Sequence, residues 1–118
     1  MMSFESILNE ETIERAARED WEVVITNLDS DIRGVCKFDS KLVVLYKQMI
    51  AGKEDFDMTL LHEFQHIHDD YIWGIENLKG NMYEASVEHR ARLVYEHYPE
   101  RLKFLKELYP QTRRYFNE

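Results

Sequence analysis

A single cysteine, Cys36, serves the whole 118-residue chain, so no internal disulfide is open to it. The core must close by packing alone, as expected of a protein kept in a reducing compartment. Two prolines and four glycines leave no linker-like stretch, and a chain of this length is expected to form one domain, residues 1–118. No apolar run exceeds the five residues from Leu42 to Tyr46, which excludes a membrane-spanning segment. Positive charge is also short. Lys and Arg number 15 against 23 Asp and Glu, for a formal net charge of −8. Phosphate affinity and attraction to anionic lipid both rest on Lys and Arg, so neither nucleic acid nor membrane is expected as a partner. The opening residues MMSFESILNE carry no basic region and no continuous apolar stretch. No signal peptide is expected, and the expected location is cytoplasmic. What the chain does have is 44% hydrophobic and 13% aromatic residues, enough for a globular core.

The pattern along the chain predicts an α+β domain. Residues 1–20 hold an N-terminal helix, with Asn9 as its cap and Ile13, Ala16 and Ala17 facing inward. Residues 21–50 hold three strands: Trp21 to Leu28, Val35 to Phe38, and Leu42 to Tyr46. The last two are expected to pair as a hairpin in a mostly antiparallel sheet. A helix follows over 55–71, with Leu60, Phe64, Ile67 and Tyr71 as its core stripe. Another runs over 81–98, starting at Asn81. A last helix and tail occupy 99–118, the helix ending at Pro110.

The informative segment is His62-Glu63-Phe64-Gln65-His66, an HExxH. Histidines four apart on a helix point the same way, so both can ligate one metal. They lie on the side of the helix away from the core stripe. Glu63, one residue on, is placed to take a proton from metal-activated water. A third ligand is then needed. A Gly and a His three and six residues beyond His66 would supply one pattern, but Asp69 and Ile72 stand there. A Glu from the following helix would supply another, and Glu84 lies eighteen residues after His66. Glu84 and Glu88 border the apolar face of that helix and are read as inward-directed carboxylates, which need a partner. Glu84 would also be the third residue of a capping box if Asn81 were the cap. Glu88 is the candidate to accept a proton from the non-ligating nitrogen of His62, with an i, i+4 ion pair to Arg92 as the alternative. Asp69 is a further candidate for supporting the ligands. His68, His89, His97, Cys36 and the tyrosines are read mainly as packing or surface groups, one tyrosine being a potential oxyanion donor.

This arrangement resembles the gluzincin metallopeptidases, in which an HExxH helix is followed by a glutamate helix. It is most similar to their minimal single-domain members, the minigluzincins. The resemblance implies a small zincin-like fold: N-terminal helix, three-stranded sheet, active-site helix, glutamate helix and C-terminal helix. It implies one zinc per chain held by His62, His66 and Glu84, with Glu63 as general base and Glu88 orienting a histidine. The expected activity is a broad, weak zinc endopeptidase acting on peptide or unfolded protein. A zinc-stabilised binding or regulatory module is the alternative. No residue after Pro99 matches the His or Tyr that stabilises the oxyanion in larger members.

The C-terminal sequence suggests self-control. Leu102, Leu105 and Leu108 form a stripe at helical spacing, and QTRRYFNE has no obvious partner in its own chain. Arginines and aromatics are enriched in tight interfaces. Tyr115, Phe116, Asn117 and Glu118 are therefore expected to dock in the cleft of a neighbouring copy, making an autoinhibited homo-oligomer, as latent minigluzincins also suggest.

Overall fold

The computed structural model describes residues 6–74 and 80–114. The described residues fold as an α+β unit of four α-helices and a three-stranded sheet. Helix α1 spans Glu10–Arg18, and the Asn9 carboxamide oxygen accepts from the Thr12 amide at 2.9 Å, closing its N-terminus as the sequence predicts. Ile13 and Ala16 are fully buried beneath it.

Strands β1 (Glu22–Thr26), β2 (Gly34–Lys37) and β3 (Leu42–Tyr46) are ordered β1-β3-β2. β2 and β3 pair antiparallel, but β1 and β3 run parallel, so the sheet is mixed rather than mostly antiparallel. The cause lies in β3. Its unalternated Leu-Val-Val-Leu-Tyr buries Val43, Val44 and Leu45, which suits a central strand covered on both faces. With β3 in the middle and β2 on one side, β1 must take the other side. Helices cover the inner face, where Val23, Val43 and Leu45 meet Phe56, Leu60, Phe64 and Ile67.

Helix α2 (Lys53–Trp73) is longer than the 55–71 expected. Leu60, Phe64 and Ile67 of its apolar stripe are fully buried and Tyr71 only partly, while Asp57, Gln65, His68 and Asp69 are buried as well. These polar side chains have partners on other elements. Gln65 bonds the Ser6 carbonyl and the Leu8 amide, and His68 Nδ1 lies 2.6 Å from the Thr12 hydroxyl. A helix at the centre of so small a domain is enclosed on several sides, and polar groups there are kept by hydrogen bonds.

Helix α3 (Asn81–His97) starts at the residue the sequence suggests and ends one residue short of the expected 98. Gly80, at φ 95°, makes the turn into the helix, and no side chain caps it. Asn81 is already helical, so the expected capping box does not form, and the Glu84 amide bonds the Gly80 carbonyl instead. Helix α4 (Pro99–Leu108) follows at once, with proline at its first position.

Residues Pro110–Arg113 form a short 3-10 turn on the β1 edge. The Tyr109 hydroxyl donates to the Trp21 carbonyl and Gln111 to the Val23 carbonyl, and Thr112 is fully buried. The start of QTRRYFNE therefore has partners in its own chain, contrary to the sequence reading. Tyr115, Phe116, Asn117 and Glu118 lie outside the described residues. No helix among the described residues is long and apolar enough to cross a membrane.

Candidate metal centre

The two motif histidines stand one turn apart on α2, with ring centroids 5.0 Å apart. The first turn of α3 lays Glu84 across them. Its Oε1 is 3.3 Å from His62 Nε2 and 3.6 Å from His66 Nε2. One ligand atom from each of the three residues falls within 4.8 Å of the others. Ligands about 2.0–2.1 Å from a common centre at tetrahedral angles are separated by roughly 3.3 Å, close to both distances. Two imidazoles and one carboxylate are a donor set that suits zinc. The residues therefore fit a tetrahedral metal with one position left for a small molecule.

The remaining ring nitrogens are held from behind. His62 Nδ1 lies 3.1 Å from Glu88 Oε1. His66 Nδ1 lies 3.0 Å from the Tyr83 hydroxyl, which donates to Asp69 Oδ2 at 2.8 Å. Both imidazoles thus direct Nε2 at Glu84. Burial, as the leading cause, holds His66 below the ordinary imidazole pKa.

Glu84 and Glu88 do not point into the core. Their side chains are 54% and 53% exposed, at the rim of the cleft. Position on a helical wheel placed them beside an apolar face, but the flank of α3 that they occupy overhangs the open, histidine-bearing side of α2. Arg92 is 3.7–3.8 Å from Glu96 and Glu54, so the i, i+4 pair with Glu88 is not the one formed.

Glu63 has the opposite environment. It is only 6% exposed, and its pKa is raised to about 7. Burial is the largest cause, the neighbouring Glu84 charge adds to it, and His62 opposes it. Glu63 lines both arms of a cleft, of about 780 Å³ and 410 Å³, which also share Gly34 and His62. The cleft runs between α2 and the outer edge of β2. Gly34 permits that close approach, since a Cβ there would sit 3.0 Å from Thr59 Cγ2 and 3.2 Å from the Val44 carbonyl oxygen. Cys36 lines the smaller arm, its thiol pushed up in pKa chiefly by burial.

Asp69, a candidate for supporting the ligands, reaches His66 through the Tyr83 hydroxyl. It is fully buried, and Arg90 meets both its oxygens, with Nη2 to Oδ2 at 2.9 Å. Its link to the site is Tyr83. Tyr83 reads from sequence only as one of several core or rim tyrosines, one of them a potential oxyanion donor, and Arg90 has no assigned role. A signal existed for Arg90, which shares an apolar stripe with Val87, Ala91 and Val94 and so needed a buried acid. His89 and His97 are exposed and stand apart from the ligand triad.

Comparison with family models, with curated proteins and with solved structures finds no match, so the site is argued from its own geometry.

Proposed function

We propose that this protein is a zinc-dependent endopeptidase. The observation that carries the reading is the convergence of His62, His66 and Glu84, with Glu84 Oε1 3.3 Å and 3.6 Å from the two Nε2 atoms, beside a buried carboxylate. A divalent ion held by these three residues would supply a Lewis acid that acidifies water and polarises a carbonyl. Glu63 takes the proton from attacking water and returns it to the leaving amine. Its burial supports that role, because a carboxylate with a pKa near neutrality can both accept and release a proton at physiological pH. Glu88 holds His62 through Nδ1.

Substrate lies extended in the cleft beside β2. Among the described residues that strand pairs only with β3, which leaves its outer edge for backbone hydrogen bonds with a peptide. Backbone recognition of this kind gives broad specificity, with peptides or unfolded protein as the substrate class. A cytoplasmic location and self-association through the C-terminal region belong to the same proposal.

The test pairs metal content with peptide turnover. Protein prepared without chelator should contain near one equivalent of zinc and cleave an unfolded polypeptide. Glu63→Gln should retain the zinc and lose roughly 10²–10⁴ of the hydrolysis. Zinc without turnover in the native protein would point to a binding module. Turnover unchanged in Glu63→Gln would remove Glu63 from the chemistry.

A further inference from the structure

We propose that Tyr83 is a positioning residue, whose hydroxyl locks His66 in its Nδ1–H tautomer and so fixes the lone pair of Nε2 on the metal position. The inference rests on reading the site as a metal centre, but its core concerns the placement of one proton.

Arg90 lies two hydrogen bonds away from Tyr83. This guanidinium is 2% exposed and always charged. Asp69, wholly buried, is its counter-ion through both carboxylate oxygens. An ionised carboxylate only accepts hydrogen bonds. The contact between the Tyr83 hydroxyl and Asp69 Oδ2, at 2.8 Å, must therefore use the tyrosine's proton. A phenol has just one proton to give. With it committed to Asp69, the hydroxyl can only accept from His66 Nδ1 at 3.0 Å. A hydrogen bond there needs Nδ1 to carry the hydrogen. A neutral imidazole with hydrogen on Nδ1 has its lone pair on Nε2, the nitrogen 3.6 Å from Glu84 Oε1. Each step follows from donor and acceptor inventory, and the charge at Arg90 fixes the whole sequence.

The same accounting removes Tyr83 from another role. Its hydroxyl proton is committed to Asp69, so it does not serve as the oxyanion donor that one tyrosine was expected to be. Anchorage comes from the protein's framework. Arg90 and Gln65 both donate to the Ser6 carbonyl, and Gln65 also donates to Asp69. The relay therefore ties the N-terminal segment, α2 and α3 to the orientation of one ligand ring.

Two measurements test this. The first uses metal-free native protein, with the ring nitrogens of His66 resolved by 15N–1H correlation spectra at a pH where the ring is neutral. Hydrogen on Nδ1 is expected, and Tyr83→Phe should shift it toward Nε2. The second is zinc affinity, measured by competition with a chromophoric chelator. Tyr83→Phe should weaken zinc roughly 10- to 100-fold, as loss of such a partner does elsewhere. Hydrogen on Nε2 of His66 in native protein would overturn the proposal, whether or not the variant folds. So would a folded Tyr83→Phe whose zinc affinity stays within threefold of native. Native protein that binds no zinc, yet has His66 in the Nδ1–H tautomer, would sink the metal-centre reading and leave the tautomer assignment standing.

Discussion

Glu84 and Glu63 line the same histidine-bearing cleft in opposite surroundings, which suits them to the different tasks proposed. Glu84, half exposed, keeps its charge cheaply and can serve as a ligand. Glu63, buried, is costly to ionise and is held near neutrality in pKa. Glu63→Gln should therefore leave the metal-free protein at least as stable as native at pH 8, measured by urea denaturation, because it removes a buried charge while preserving shape. A loss of more than about 1 kcal/mol would mean that Glu63 holds an essential structural bond. Arg90 gives the contrasting case. Removing one member of a buried ion pair leaves the other uncompensated, so Arg90→Ala should cost about 3–5 kcal/mol. Arg92→Ala, whose ion pairs are long and solvated, should change stability by less than about 0.5 kcal/mol. Equal effects of the two substitutions would contradict the burial assigned to Arg90.

At the scale of elements, the C-terminal segment has a structural task. β1 is an edge strand, and an open edge invites pairing with other chains. Tyr109 and Gln111 occupy its carbonyls at Trp21 and Val23. A chain ending at Leu108 loses these contacts and the buried Tyr109 ring, which should cost about 3–5 kcal/mol and promote aggregation. A chain ending at Arg114 keeps them. Only the second truncation can test whether Tyr115 to Glu118 restrain activity. If they do, its specific activity should exceed that of the full chain at high concentration and converge with it on dilution. Flat specific activity in both forms over a hundredfold dilution would exclude restraint by the tail. These elements also mark where sequence was readable. Amphipathic helices and the Asn9 cap follow from local pattern, and so does the β2–β3 hairpin. Parallel pairing of β1 with β3 is a long-range outcome that strand composition alone leaves open. The start of α3 turned on Gly80, whose freedom at positive φ competes with the capping propensity of Asn81. His62 and His66 could be paired from sequence because a four-residue spacing puts them on one face of a helix. The Arg90–Asp69–Tyr83 link was not, since it joins residues on different helices through side-chain geometry.

For the molecule as a whole, the three candidate ligands come from two helices that meet through tertiary packing, so the proposed metal site links binding to folding. His62 and His66 alone form a local pair on α2. Glu84 joins them only when α3 lies against α2, and an unfolded chain holds no such site. An ion that binds the folded chain preferentially therefore stabilises it by an amount set by free metal concentration relative to Kd. At a thousandfold excess over Kd the increment is about 4 kcal/mol. For a domain of this size that corresponds to a rise in Tm on the order of 10–20 °C. Chelator should reverse it, and the difference should be visible by calorimetry of full-length protein with and without zinc. The ligand variants sharpen the test. His62→Ala should abolish most of the zinc-dependent rise while the metal-free Tm changes little, because His62 is on the cleft side of α2 and outside the core. Glu84→Ala should do the same, since its side chain is half exposed and forms no capping box whose loss would weaken α3. A Tm that does not respond to zinc in native protein, or that responds equally in both variants, would show that these three residues do not form the metal site.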